Sequence, residues 1–396
     1  MDIVNPFFFL YLFIPALVVV FAKFVLKLQI CRTEMLIQMG VGVLAVAMMW
    51  GVTAISTAMY KPYDTEVLNG QITGKDVNRM VCIKDTYTGC TNSYSCDCYT
   101  VCTPTTDSKG NVTGQSCTTH CSTCYRYPWE QDWYAIADIN PNISISRVDA
   151  QGAKTPPRWT AVKIGEPAST TSRFVNWLKP NTGTLFKDGG IFAERYKEII
   201  PAYPKINDLY RVNRVLGVQT TVPNHKAWND GFNTSLKTLG PKKELNIVMV
   251  VAKDVPREFS DGVQYAWHGL KQNDAVLFYG LDKNGNVSWV RVMSWAASAI
   301  FDVEVTRVME ASLGKPFASV DPVSTVSSVE RIALAKFERK PMEEFEYLKK
   351  NIKPPIGWMI FAGLLVLGLS IAAAAYFHHN DDFTTDSRFR NRNRYW

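Results

Sequence analysis

Cysteine is the residue type with the clearest capacity for chemistry in this chain. Eight of the nine cysteines lie between residues 82 and 124, in a segment rich in Thr, Ser, Gly, Asp and Asn. Such a segment has few aliphatic side chains to bury, so covalent or metal cross-links must hold it. An even number of clustered cysteines favours four disulfides, whose pairing the sequence does not determine. The candidates are Cys82, Cys90, Cys96, Cys98, Cys102, Cys117, Cys121 and Cys124.

Zinc is the alternative for the same segment, because thiolates and an imidazole could fill one or two tetrahedral sites. Only Cys121 and Cys124 have the C-x-x-C spacing. That pair also has the form of a redox motif, which usually stands at a helix N-terminus and is not expected in a loop-rich segment. The ninth cysteine, Cys31, is predicted to be a free thiol. The zinc candidates are Cys96, Cys98, Cys102, Cys117, His120, Cys121 and Cys124.

Candidate catalytic residues are few. Of the five histidines, only His225 and His268 lie outside the cysteine segment and the C-terminal membrane exit. His268 is predicted to lie at a helix end, where an imidazolium interacts favourably with carbonyl groups. The chain has no P-loop, dinucleotide-binding, zinc-protease or nucleophile-elbow motif. The sequence therefore argues against an enzyme without deciding the matter, and it predicts no cofactor besides the zinc alternative.

Three apolar stretches predict helices that anchor the chain in a lipid bilayer. They run from residues 6 to 27, 35 to 60 and 356 to 377, and each is long enough to cross a hydrocarbon core of about 30 Å. A cleaved signal peptide is the alternative for the first stretch, but that stretch has no basic n-region and no small-x-small cleavage site. The predicted fold is thus an α+β and α/β membrane protein, with an N-terminal helical hairpin and one C-terminal span.

Small residues in the second predicted span recur at spacings of seven, four, three and four, which places them on one helix face. In lipid, small side chains let helix backbones approach closely, so the face is predicted to pack against another helix. The alternative is that Gly and Ala are simply common in membrane helices. The residues are Gly40, Ala47, Gly51, Ala54 and Ala58.

Positive charges set the predicted orientation. The formal charge of +7 is spread along the chain, but basic residues flank the short hairpin loop and occupy the C-terminal tail. The positive-inside rule makes both cytoplasmic and puts the large domain in the periplasm or exterior of a bacterial inner membrane. No clustered basic patch or reader motif indicates nucleic-acid binding.

The large domain is predicted to have two parts. Proline and turn residues break its middle into short pieces, whereas apolar runs near residues 245–252 and 275–279 predict buried strands with a helix between them. The predicted organisation is a two-helix hairpin (1–60), a disulfide-stapled segment (61–135), an extracytoplasmic α/β domain (136–340), a juxtamembrane helix (341–355), a span (356–377) and a basic cytoplasmic tail (378–396).

The order of strand, helix, the strand containing Asn273-Asp-Ala-Val-Leu277, and hairpin strand resembles the TPM-type α/β domain of bacterial envelope proteins over roughly residues 240 to 340. Val292-Met-Ser-Trp295 replaces the Gly-Tyr-Gly segment that usually ends such domains, so the resemblance carries over no metal or phosphatase function. The overall layout, with Glu346-Tyr-Leu-Lys-Lys-Asn-Ile-Lys-Pro-Pro355 before the last span, also resembles uncharacterised membrane proteins of tailed bacteriophages.

Three functions are compatible with these features. The first is a membrane-anchored envelope scaffold or interaction protein of phage origin, whose disulfide-stabilised outer domain binds copies of itself or another envelope protein. The second is a TPM-like envelope enzyme or metal-binding domain. The third is a membrane pore or exclusion factor formed by oligomerisation of the spans. The missing catalytic set favours the first.

Overall fold

The computed structural model describes residue 11 and residues 13–25, 32–106, 108, 112–207, 211–351 and 356–380. The fold is mixed α/β and forms two compact units, which are described separately. One unit comprises residues 1–63, 175–185 and 342–396, and the other comprises residues 64–174 and 186–341. Cys31, residues 381–396 of the basic tail, and both ends of the first predicted span lie outside the described residues.

The first unit is built from three apolar helices: α1 (Phe13–Phe24), α2 (Arg32–Met59) and, at the C-terminal end, α10 (Ile356–Asn380). Among the described residues, one segment, Gly357–Tyr376, is long and apolar enough to cross a membrane. Two shorter apolar segments, Phe13–Phe24 and Met35–Met48, correspond to the first and second predicted spans. Length and composition therefore fit the third predicted span directly, and the other two stay predictions.

The described contacts of α2 with the other two helices involve Gly42, Ala45 and Val46. Gly42 lies against Pro15, where an added Cβ would come within 2.1 Å of the proline Cγ. Ala45 and Val46 are buried beside Val366 of α10. Gly40 and Ala47 are exposed, and an added Cβ at Gly40 or Gly51 would meet nothing within 4 Å. The side chains of Ala54 and Ala58 are not described. Gly40 and Ala47 thus lie outside the contacts between the described helices, and packing of the stripe against another helix stays a prediction.

The remainder of the first unit is a small polar and aromatic cluster. The predicted juxtamembrane helix is a 3₁₀ segment, Met342–Asn351, whose buried side chains include Phe345 and Leu348. The Asn181 side-chain amide donates to the carbonyl oxygens of Trp177 and Leu348, at 2.9 and 3.2 Å. These bonds tie residues 175–185 to the segment that precedes α10. The short helical pieces there are Lys179–Asn181 and α4 (Thr182–Leu185).

The second unit contains two four-stranded sheets. The first sheet has the order β5-β4-β1-β6 and encloses a core that includes Ile72, Trp133 and Ile143. Strand β4 continues past residue 135, so the predicted boundary between residues 135 and 136 falls inside one strand of one sheet. The elements are β1 (Tyr63–Val81), β4 (Trp129–Ala137), β5 (Asn140–Ile145), helix α3 (Pro157–Ala161) and β6 (Pro167–Val175).

The second sheet has the order β12-β11-β10-β9, with β9, β10 and β11 parallel and β12 antiparallel to β11. Helices cover both of its faces, which explains why β10 and β11 are apolar runs and not alternating patterns. The elements are α5 (Lys187–Arg195), β7 (Ile206–Asn207), β8 (Arg211–Val212), β9 (Val215–Val218), α6 (His225–Lys243), β10 (Asn246–Lys253), α7 (Phe259–Ala266), β11 (Asp274–Leu281), β12 (Val287–Ser294), α8 (Ile300–Glu310), a 3₁₀ turn (Phe317–Ser319) and α9 (Pro322–Lys336).

Helix α6 shows why the sequence folds this way. Trp228, Phe232, Leu236 and Leu239 recur at helical spacing and are fully or almost fully buried in the core on one face of the sheet. Helix α9 packs in the same core and begins at Asp321, whose carboxylate accepts hydrogen bonds from the first-turn amides. Helix α7 contributes to the core on the opposite face.

Candidate functional site

The cysteine segment forms a long antiparallel ribbon, not the loops that the sequence predicts. Strands β2 (Ser93–Thr106) and β3 (Val112–Tyr125) pair only with each other among the described residues. Each has 14 residues, which corresponds to a length of about 45 Å. Most of its described side chains are exposed, and none belongs to a hydrophobic core. The ribbon is therefore an ordered surface without a core of its own.

Four disulfides stabilise the ribbon and its base. Cys82–Cys90 closes the loop before β2, and the other three bridges, Cys96–Cys124, Cys98–Cys121 and Cys102–Cys117, connect β2 to β3. All eight clustered cysteines are paired, as the sequence predicts. An isolated two-stranded hairpin is marginally stable in water. The bridges therefore provide the stabilisation that the ribbon does not gain from burying apolar side chains.

The alternation of side chains along a strand gives the ribbon two different faces. One face carries the Cys98–Cys121 and Cys102–Cys117 bridges, and between them the hydroxyls of Thr100 and Thr119 form a hydrogen bond of 3.0 Å. The opposite face carries the third bridge and a row of aromatic and hydroxyl side chains. There Tyr99 stacks on His120 with ring centroids 5.6 Å apart, and Val101 and Thr118 follow as the next pair.

Disulfides on the first face occur where the backbone brings the strands closest together. The Cα atoms of Cys102 and Cys117, and those of Cys98 and Cys121, are 4.0 Å apart. Antiparallel pairs without mutual hydrogen bonds approach to about 4.5 Å, against about 5.5 Å for hydrogen-bonded pairs. The bridged residues thus mark the positions whose backbone N–H and C=O groups point out of the ribbon.

A buried carboxylate holds the base of the ribbon. Glu130 of β4 is fully buried and accepts hydrogen bonds from the backbone amides of Thr91 and Asn92 at 3.0 and 2.9 Å. It also accepts from the side chains of both residues and forms an ion pair of 2.6 Å with Arg147. Arg147 in turn donates to Asp132 at 2.7 Å. These bonds fix the two residues that lead from Cys90 into β2.

The charge state of Glu130 follows from those contacts. Burial alone would raise the pKa of this carboxyl group, but the hydrogen bonds from Arg147, Thr91 and Asn92 outweigh it and lower the pKa to about 2. The carboxylate is therefore ionised at neutral pH, which keeps its hydrogen-bond acceptors available.

A second polar cluster lies at the amino ends of the parallel strands and joins the two sheets of this unit. The guanidinium of Arg214, which is 1% exposed, donates to the side chains of Asn69, Ser169, Asn233 and Asn246. Burial lowers the pKa of Arg214 to about 10, so it remains protonated at neutral pH.

The cluster ends at a buried acid. Asn246 donates to Asp274 at 2.8 Å, and the Tyr203 hydroxyl donates to the same carboxylate oxygen at 2.7 Å. Burial raises the pKa of Asp274, against the hydrogen bonds that it accepts. In open α/β sheets, ligands bind at the carboxyl ends of the strands. This largely buried network at the amino ends is consequently a structural connection between β1 and the second sheet.

The candidate histidines lie on different elements of the fold. His120 lies on the ribbon and His225 in the first turn of α6, where its Nε2 is 3.0 Å from the Val215 carbonyl oxygen. His268 follows α7 in a left-handed backbone conformation with φ of 57°. The zinc alternative required free thiolates, and the sulfur atoms of its six cysteines all belong to disulfides. Within the described part of the chain, two groups of closely spaced ligand atoms occur, around Cys82 and around Cys96, and each consists of bridged cysteines and one carboxylate.

Sequence reasoning missed Glu130, Arg147 and Arg214. Glu130 stands in an aromatic run, and its partners come from 39 and 38 residues before it and 17 residues after it. No local signal marks Glu130, because Gln131 and Asp132 follow it in the same strand and the three residues together look like an ordinary exposed polar run. Comparison of the chain with family models, curated proteins and solved structures finds no match.

Proposed function

We propose that the chain is a membrane-anchored scaffold or interaction protein of the bacterial envelope, whose extracytoplasmic domain presents the disulfide ribbon to a protein partner. The observation that carries the proposal is the ribbon itself: two long strands, cross-linked three times and exposed along their length. A segment with no core to cover has no evident use inside its own fold, whereas a rigid exposed strand pair is a common means of protein recognition.

Two further features support this location. Disulfides form and persist in oxidising compartments, so four bridges fit a non-cytoplasmic domain. The apolar helix Gly357–Tyr376 fits a membrane anchor, and the two shorter apolar helices of the first unit fit the predicted N-terminal hairpin. In this arrangement the hairpin loop and the C-terminal tail face the cytoplasm. The order of two N-terminal spans, an outer domain and a last span also accords with an origin in a tailed phage.

Photo-cross-linking in intact cells tests the proposal. A photoreactive residue is placed at Tyr99 or Val101, which are 63% and 43% exposed on the ribbon, and as a matched control at Val323, which is 71% exposed on α9. We expect a discrete cross-linked protein from the ribbon positions only. Equal yields at Val323, or none from the ribbon, would remove the basis for an interaction surface there.

Topology is tested separately with a membrane-impermeant maleimide. Without reductant, eight of the nine cysteines should stay unmodified even after denaturation, and alkaline extraction should leave the chain in the membrane pellet. Reaction of all nine cysteines without reductant would contradict the oxidising location. Release of the chain into the supernatant would contradict the anchor.

A further inference from the structure

The outer edge of β3 carries backbone groups that nothing else in the described part of the chain uses. Since the bridged residues are the positions whose backbone points outward, the N–H and C=O groups of Gln115, Cys117, Thr119 and Cys121 face away from β2. The next residue of this set, Thr123, shows the direction directly, because its amide donates to the Asp85 carboxylate at 2.7 Å and its carbonyl accepts from the Asp85 amide at 3.0 Å.

This free edge has definite ends. At the base it ends at Thr123, whose backbone N–H and C=O groups are hydrogen-bonded to Asp85. Toward the tip it stops where the pairing with β2 shifts register beside Gly114. Between those points, from Gln115 to Cys121, β3 has neither proline nor bulge, and its outward backbone groups have no partner among the described residues.

The other edge of the ribbon is protected. Strand β2 is bulged where Asp97 adopts a left-handed conformation, with φ of 46°, and Pro104 has no N–H to donate. Bulges, prolines and charges are the features that natural proteins use to prevent pairing at exposed edges. Only β3 presents an uninterrupted edge, so any added strand is expected on that side.

We propose that a second copy of this chain occupies that edge, with β3 antiparallel to β3 about a two-fold axis at Thr118. This deepens the proposed function, on which it rests, by naming the partner and the surface. Centring the pair on Thr118 places Cys117 of one copy opposite Thr119 of the other, and Gln115 opposite Cys121. All four outward residues of each strand are then used, which gives eight backbone hydrogen bonds in a four-stranded sheet.

The side chains of β3 suit pairing with themselves. The segment from Gln115 to Cys121 contains no lysine, arginine or carboxylate, so an antiparallel copy brings no like charges together. Thr118 faces Thr118, and His120 faces Ser116 of the other copy. Threonine pairs are favourable across antiparallel strands. The disulfides have already ordered each strand, so association has little backbone entropy left to overcome.

Proline substitutions at matched positions test the pairing. Thr119→Pro removes an outward N–H from β3, and Thr100→Pro removes one from β2. Both variants lose the same hydroxyl bond between Thr100 and Thr119, and neither loses a backbone bond inside the ribbon. In the full-length protein in detergent, Thr119→Pro should raise the dimer dissociation constant about 30-fold or more, because two of the eight bonds are lost. Thr100→Pro should change it by less than about 3-fold. Equal effects, or a monomeric parent protein, would refute the edge pairing.

A cysteine at the two-fold axis gives an independent measurement. Paired positions without mutual hydrogen bonds are close enough for a disulfide, so Thr118→Cys should form a cross-linked dimer whose peptide map joins residue 118 to residue 118. Thr103→Cys, on the same face of the other strand, should not. A dimeric parent protein without the 118–118 peptide would overturn the proposal. If the ribbon instead cross-links to a different protein while the chain is monomeric, self-pairing is wrong and the proposed function stands.

Discussion

Removing one bridge from the middle of the ribbon tests whether disulfides, and not packing, hold it. The double variant Cys102→Ser, Cys117→Ser opens a bridge that spans 15 residues of sequence. Loop-closure entropy for that length corresponds to about 3 kcal/mol. The Cys98–Cys121 bridge already restricts the same loop from outside, so the expected loss is smaller, about 2 kcal/mol. Because the ribbon has no core, this loss should stay local.

Hydrogen exchange of the ribbon amides measures the effect. A loss of about 2 kcal/mol predicts about 30-fold faster exchange for the amides that pair β2 with β3 beyond the removed bridge. The matched control, Thr100→Ala with Thr119→Ala, removes the neighbouring hydroxyl bond and should accelerate exchange by less than about 10-fold. Unchanged protection in the serine variant, or a drop in stability of the α/β sheet by the same amount, would refute the view that the bridge acts on the ribbon alone.

Three further predictions concern the second unit. The pKa of Glu130 in the folded protein, about 2, lies below its ordinary value of 4.5. The ionised carboxylate therefore contributes about 3 kcal/mol to the free energy of unfolding above pH 4.5, and this contribution is lost as the pH falls toward 2. Glu130→Gln should lack this acid-dependent loss of stability in denaturation curves. Trp228→Ala should lower the free energy of unfolding by about 4 kcal/mol, against less than about 1 kcal/mol for the half-exposed Leu334→Ala. Arg214→Leu removes the buried hydrogen bonds that the guanidinium donates to Asn69, Ser169, Asn233 and Asn246, and it should cost at least about 3 kcal/mol in the same assay, whereas the exposed Arg331→Leu should change little.

Strands β10 and β11 of the second sheet could be predicted because their signal lies in consecutive residues, whereas β9 lies in the middle stretch for which the sequence predicts only short pieces. Strands covered on both faces need unbroken apolar runs, and residues 245–252 and 275–279 supply them, close to the observed Asn246–Lys253 and Asp274–Leu281. Helix His225–Lys243 also carries a local signal, since its apolar residues recur at helical spacing.

The ribbon could not be predicted in this way. Its side chains are exposed on both faces, so no alternation of apolar and polar residues marks its strands. The eight cysteines indicated cross-links, but the strands follow only once the pairing is known, because bridges such as Cys102–Cys117 set the register of residues far apart in sequence. The Glu130 contacts at its base are equally non-local.

Glu130, Arg214 and Asp274 stabilise the fold of the second unit from inside. Each is at most 1% exposed and is hydrogen-bonded to other groups of the protein. The ribbon differs from the other exposed surfaces of this unit because three bridges keep its backbone donors and acceptors aligned in water. An edge held rigid in this way loses little conformational entropy when it pairs with another strand. Its affinity for a strand therefore depends mainly on whether the two strands can pair in a register that matches their backbone groups and avoids like charges.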